Sequence, residues 1–281
     1  MHLLVCVAHY YNAEGGGAHG SLSPDSAPRI AALRQLILQL HRLFGEPAGV
    51  LNHLHRRIDQ AGDGGGSIEI KICTTAENHL LHHLDDLRDH FEQVICQPSH
   101  PKLLGFECHR ILRESSQQNI DYYGYMEDDL LITDADFFSK LRHFNRVFGN
   151  TYLLQPNRIE TSEDLKRLRR FYIDGDYHPP AAEQWRQSMQ TELALEHLGS
   201  VVKFRQPLNL HSGCFFLNST QAHQYFASES SRAQDTSYHG PLESAASLGV
   251  MKTFQIMKPA TENGQFLTIE HAGRNFMGLI Q

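Results

Sequence analysis

The chain has 281 residues, 41% of them hydrophobic and 20% charged, with a formal net charge of −7. These values fit one large globular domain, or two lobes sharing a core, and give no sign of a general polyanion binder such as a nucleic-acid protein. Five cysteines (Cys6, Cys73, Cys96, Cys108 and Cys214), odd in number and never in a CxxC pair, argue against a disulfide framework and a structural zinc site and fit a reducing compartment.

The chain opens on the apolar run Leu3-Leu4-Val5-Cys6-Val7-Ala8 and turns polar at His9. Six apolar residues with no basic leader are too few for a signal peptide or a membrane helix, so they predict a buried first strand in a cytoplasmic chain without a membrane span. A glycine-rich loop runs to about Pro28. Ser26 as N-cap and Pro28 in the first turn open a helix through Ile30, Leu33, Leu36, Ile37, Leu40 and Leu43, spaced at three- and four-residue intervals. Beyond a glycine loop at 62–66, a second strand covers 68–73 and ends in Thr74-Thr75. A helix is expected near 80–91, a third strand at 93–96, a helix around 104–115 and a strand at 122–126. Thr133 with Asp136 resembles a capping box and starts a helix through Phe148.

The second half is less regular. Strands are expected at 152–154, 215–217, 253–256 and 266–269, and helices at 184–198 and 241–248. Segment 162–170 is polar and basic, 177–180 reads as a turn, and 219–240 reads as a long mobile loop. Alternation of strand and helix in the first half predicts an α/β fold with a mainly parallel central sheet.

The most distinctive stretch is Tyr123-Gly124-Tyr125-Met126-Glu127-Asp128-Asp129-Leu130-Leu131. Three adjacent carboxylates repel one another, and nothing nearby in sequence balances them. Acidic residues also cap strands and precede turns. The apolar flanks favour a sheet end, where a hard cation such as Mg²⁺ or Mn²⁺ would take carboxylate oxygen and keep positions for a diphosphate. Glu243, in the first turn of a helix, suits the helix dipole and equally suits a general base. His271 comes after a strand and could complete a mixed oxygen and nitrogen shell around a transition metal, although an isolated histidine is usually structural. His211-Ser212-Gly213-Cys214 puts small residues before an apolar strand, for a close ligand approach or a tight turn.

Other motifs carry less. Gly15, Gly17 and Gly20 satisfy GxGxxG, but Ser23-Pro24 stands where a helix should start and no acidic residue ends the second strand, so the dinucleotide fingerprint is rejected. A P-loop is excluded, because no Gly-Lys-Ser or Gly-Lys-Thr exists. Lys166, Arg167, Arg169 and Arg170 read as a solvated helix face, with a diphosphate contact as the lesser alternative. Nineteen histidines do not by themselves select metal binding.

Together these segments resemble nucleotide-diphospho-sugar glycosyltransferases of the GT-A fold. The resemblance rests on Tyr-Met-Glu-Asp-Asp as a DxD-type motif, the central Ser-Gly-Cys-Phe-Phe-Leu-Asn segment, a late Glu-containing helix and a near-terminal His. It implies a GT-A-like, Rossmann-type single domain over 1–281 with helices on both faces of the sheet. Residues 1–133 would be the nucleotide-sugar half and 134–281 the acceptor half, carrying the mobile loop 219–240. Asp129 and His271 would hold Mn²⁺ or Mg²⁺. His9, Tyr10, Tyr11, Thr74 and Thr75 would bind the nucleoside, and Glu127 or Asp128 the ribose or a metal-bound water. Glu243 would be the base of an inverting transfer from a UDP- or GDP-sugar to a hydroxyl-bearing acceptor, a saccharide among the candidates. Glu-Ser at 243–244 departs from the commoner Glu-Asp or Asp-Asp, which bears on the base and the stereochemistry. The rival readings are a metal-dependent phosphohydrolase and a non-catalytic nucleotide- or carbohydrate-binding module.

Overall fold

The computed structural model describes all residues except 17–19, 46–47, 62–65, 117, 163–169, 176–179, 186–191, 274–275 and 280–281. Strand β1 (His2–Ala8) leads to helix α1 (Ala27–Phe44), a hairpin of β2 (Gly49–Asn52) and β3 (Arg57–Gln60), and β4 (Ser67–Thr74). Next come β5 (Glu92–Ile95), α2 (Leu104–Glu114), β6 (Tyr122–Glu127), β7 (Leu130–Leu131), α3 (Phe137–Phe148), β8 (Tyr152–Leu154) and β9 (Asn157–Thr161). The remainder holds β10 (Arg170–Tyr172), the hairpin β11 (Glu192–His197) and β12 (Ser200–Arg205), and β13 (Cys214–Asn218). Helices α4 (Ser219–Ala227) and α5 (Pro241–Thr253) then precede β14 (Gln255–Pro259) and β15 (Thr268–His271).

The fold is mixed α/β. The central sheet has the order β13-β6-β1-β4-β5, in which β6, β1, β4 and β5 run parallel and β13 is antiparallel to β6. Two four-stranded sheets, β10-β9-β15-β7 and β11-β12-β14-β8, complete the second half. The expected mainly parallel sheet is therefore confined to the strands before residue 128, with an antiparallel edge. Strand β1 is buried on both faces: Leu3, Val5 and Val7 pack with Leu33, Leu36, Ile37 and Leu40 of α1, while Leu4, Cys6 and Ala8 pack with Leu104, Cys108 and Leu112 of α2. That continuous apolar run is what a covered parallel strand requires. Each fully buried aliphatic side chain contributes roughly 1.5–3 kcal/mol. Cys6, Cys73, Cys96 and Cys108, scattered in sequence, converge in the α2-side cluster as free thiols.

Several sequence expectations are corrected. The helix expected near 80–91 is two 3-10 segments, Leu81–His83 and Asp85–His90, because the buried Leu81, Leu84 and Leu87 recur every three residues. The helix expected over 184–198 gives way to β11, where Leu193 and Leu195 are buried between exposed Glu192, Ala194 and Glu196. That alternation has the period of a strand. The Thr133 capping box does not form; Asp134 instead accepts the Asp136 N–H and the Lys140 ammonium ahead of α3. Helix α5 runs five residues past the expected end at Leu248. Of the basic run 166–170 only Arg170, in β10, lies within the described residues, and the expected turn at 177–180 likewise falls outside them except for Pro180.

The stretch 219–240, expected to be a mobile loop, begins as helix α4. Its N-cap Asn218 forms a capping box with Gln221, and Ala222, Tyr225 and Phe226 are buried. Asn218→Ala is expected to lower stability by about 1 kcal/mol, seen as a drop in urea midpoint at constant slope. An unchanged midpoint would show that the cap does not hold this segment.

Candidate functional site

Strands β1 and β6 are parallel neighbours at a reversal of strand order: from β1 the chain goes to β4 and β5 on one side, and after β5 it crosses back to β6 on the other. Ligands of open α/β sheets sit at the carboxyl ends of such a pair, where the strand order reverses. Ala8 is registered against Glu127, so His9 and the acidic triplet leave the sheet side by side.

The triplet divides into three environments. Asp128 is buried, and its Oδ2 lies 2.5 Å from His9 Nδ1. His9 Nε2 accepts the backbone N–H of Leu80 at 3.0 Å, which leaves the proton of the neutral ring on Nδ1, directed at Asp128. Arg29, in the first turn of α1, donates Nη2 to Asp128 Oδ1 and Nη1 to Asp129 Oδ2, the latter at 2.7 Å. The charge balance absent from the local sequence is thus supplied by a residue about a hundred positions upstream. Burial pushes the Asp128 carboxyl up, but Arg29 and His9 outweigh it and leave it below its ordinary range. Burial acts likewise on Asp129, where His271 and Arg29 prevail and hold the carboxyl far below that range.

Glu127 behaves in the opposite way. Burial and the neighbouring Asp129 push its carboxyl up to about 8, against the opposing influence of Arg158. Its carboxyl therefore holds a proton more readily than those of Asp128 and Asp129, which are shifted the other way. Its Oε1 is buried without a hydrogen-bond partner, as is Asp129 Oδ1. The Glu127 N–H donates to Gly213 O at 3.0 Å. Gly213 has φ +66°, and an added Cβ would stand 2.8 Å from Glu127 Oε2. The small residues before β13 are thus a tight turn, and what approaches them closely is the Glu127 side chain.

His271, at the end of β15, faces Asp129 with Nε2 3.6 Å from Oδ2, while Nδ1 lies 2.9 Å from Glu160 Oε1. Burial disfavours the imidazolium, but Asp129 and Glu160 more than offset it and raise the His271 pKa. Glu160, wholly buried on β9, also accepts the N–H groups of Phe276 and Met277. Behind the site, Arg158 Nη2 and Lys258 Nζ contact the two oxygens of Asp174 at 2.6 and 2.9 Å.

Two cavities meet at this point. The larger, about 670 Å³, is lined by Glu127, Asp128, Asp129, His211, Glu243 and His271 among others. The second, about 530 Å³, lies towards Ala8, Tyr10 and Gly105, and shares Arg29, Asp128, Leu242 and Glu243 with the first. Glu243, in the first turn of α5, makes no hydrogen bond or ion pair with the described residues and fronts both spaces. The structure thus brings together Tyr10, Glu127, Asp128, Asp129, Glu243 and His271. His9 stands behind Asp128, fully buried. Tyr11 donates its hydroxyl to Ser23 O at 2.5 Å, Thr74 Oγ1 accepts from Gln93, and Thr75 Oγ1 accepts the Asn78 N–H. These last three line neither cavity.

Sequence reasoning passes over Arg29, Glu160, Arg158, Asp174 and Lys258. A signal existed for two of them: Arg158 and Glu160 flank Ile159 inside a five-residue strand, and all three are buried. No protein-family model and no curated protein matches the chain.

Asp174 provides a pH test of this arrangement. Burial pushes its carboxyl up, but Lys258 and Arg158 hold it well below the usual carboxylate range. A carboxyl depressed in the folded state adds stability above its unfolded pKa of about 4, and that stability is lost as pH falls through the folded value. Asp174→Asn should therefore cost about 3–5 kcal/mol at neutral pH, since it leaves two buried cations unpaired. It should also flatten the acid limb of the stability profile below about pH 5. Urea titrations across pH check both; a wild-type acid limb in the variant would refute the assignment.

Proposed function

We propose that the chain is a metal-dependent glycosyltransferase that moves a sugar from a nucleotide-diphosphate donor to an acceptor hydroxyl, with inversion. The observation that carries this reading is the meeting of Asp129, His271 and Glu243 around one cavity at the strand-order reversal of a parallel sheet. The two adjoining cavities have volumes in the range of small-molecule sites and suit a bipartite donor. The nucleoside would occupy the space beside Tyr10, the diphosphate the Arg29 and Asp128 boundary, and the sugar the space beside Glu243.

The residues fit a divalent cation. Asp129 Oδ1 is buried and unpaired, and the same carboxylate faces His271 Nε2. Glu160 holds the other ring nitrogen, the carboxylate–histidine support that orients metal-ligating imidazoles. Asp129 and His271 would hold the ion, and the described residues include no group of three such ligands, so substrate oxygens and water would complete its shell. Such an ion stabilises the negative charge that develops on a departing diphosphate.

The chain's own residues do the rest. Arg29 offers a second cation to the diphosphate at the boundary of the two cavities. Glu243, unpaired among the described residues, accepts the proton of the acceptor hydroxyl as its oxygen bonds to the anomeric carbon; the bond from that carbon to the diphosphate breaks, and the diphosphate leaves with the electron pair. The five free, buried thiols support a cytoplasmic location. Among the described residues no helix is long and apolar enough to cross a membrane.

Thermal-shift measurements with UDP-, GDP-, CMP- and dTDP-sugars, with and without Mn²⁺, should find one donor that stabilises the protein only with metal present. Asp129→Ala should abolish that metal dependence; metal-stimulated turnover in this variant would sink the site assignment. Glu243→Gln should keep the donor-induced shift and lose transfer by about a hundredfold or more. Donor binding without transfer in the wild type, across acceptors, would instead favour a non-catalytic binding module.

A further inference from the structure

A third cavity, about 600 Å³, lies beyond the Arg158–Asp174 pair and shares Arg158, Asp174 and Asn209 with the large cavity. Among the described residues its lining holds four cations, Arg158, Arg170, Arg205 and Lys258, and one carboxylate, Asp174. Arg205 is neutralised from outside the cavity by Glu192 and Glu262 at 2.9 and 2.6 Å. Among the described residues the other three have Asp174 alone as a counter-charge within it. Arg158 places Nε and Nη2 on the same oxygen of Asp174, and Lys258 takes the second oxygen and the carbonyl of His211. Two buried cations therefore share one buried anion. The side chain of Arg170, exposed on β10, makes no ion pair or hydrogen bond with the described residues.

Two buried cations on one buried carboxylate are costly to desolvate unless a further anion shares their charge. Burial acts on Lys258 in that sense: it lowers the ammonium pKa, against the opposing attraction of Asp174. Arg158 also faces Glu127 and Asp129 on its other side, so Lys258 and Arg170 are the charges most available to a ligand. Phe171 and Tyr172 line the same cavity.

We propose that this third cavity binds the anionic end of the acceptor, a phosphate or carboxylate group, and so orients the acceptor's hydroxyl towards Glu243 in the adjoining large cavity. The anion site stands on the charge arrangement alone; its assignment to an acceptor rests on the transferase reading. Charge-assisted hydrogen bonds from Lys258 and Arg170 would hold the group.

Isothermal titration of the full chain with inorganic phosphate, sulfate and citrate, with no nucleotide sugar present, tests it. At least one of these anions should bind, and the preferred one names the phosphate or carboxylate class. Arg170→Ala, at an exposed position, should weaken that binding by about tenfold, and Lys258→Met should weaken it further, whereas Arg34→Ala on the exposed face of α1 should leave it unchanged. Absence of anion binding, or binding indifferent to Arg170→Ala, overturns the proposal. If anions fail while the metal-dependent donor shift persists, the anionic acceptor falls and the transferase stands. If anions bind at Arg170 and no sugar is transferred to any acceptor, the anion site stands and the transferase reading falls.

Discussion

The Arg29 guanidinium, laid across Asp128 and Asp129, is the contact on which the site depends. Three consecutive carboxylates at the end of a buried strand would be expelled towards solvent or forced to take up protons. Arg29 makes two of them tolerable as anions, and His9, locked by the Leu80 N–H, holds the far oxygen of Asp128. These contacts join the start of α1, the end of β1 and the end of β6 at one point. The third carboxylate, Glu127, has no guanidinium laid against it, and burial with the neighbouring Asp129 raises its pKa. A run of like residues in sequence thereby becomes two carboxyls with lowered pKa beside one with a raised pKa, a graded site in which each residue has a different chemical character.

The same logic operates on the other side of the site. His271 is presented to Asp129 by Glu160, and Glu160 is itself held by the backbone of residues 276 and 277. Arg158 is ion-paired with Asp174 and interacts electrostatically with Glu127 and Asp129, so it bears on both cavities that it lines. The three cavities are therefore successive compartments separated by ionised walls, an arrangement in which the electrostatics of neighbouring ligands are coupled.

In the first half, β1, α1, α2 and β6 were legible because their signals are local, whereas the segment near 80–91 and the hairpin of β2 and β3 were not. An apolar run and a polar break mark β1, three- and four-residue spacing marks α1 and α2, and the acidic triplet marks the end of β6. The second half was misread where short segments support more than one period. The stretch Glu-Leu-Ala-Leu-Glu-His has helix-forming residues in a strand alternation, and tertiary pairing with β12 decided between them. Asn218 and Gln221 carried a capping box in plain sequence, yet the polar residues between Ser228 and Gly240 disguised the helix that begins at Ser219.

What the sequence determined by itself is the chemistry available: a buried α/β core, an acidic cluster at a strand end, a glutamate in the first turn of a helix and a histidine after a late strand. Such features depend on residue type and short spacing. Which carboxylate has its pKa raised, which cation neutralises the others, and which histidine faces a carboxylate rather than the core were decided only by the tertiary structure. The reason is physical. Arg29 and Asp129 are a hundred residues apart and His271 lies 111 from Glu160, and burial and charge pairing at such separations arise only when the sheets close around them.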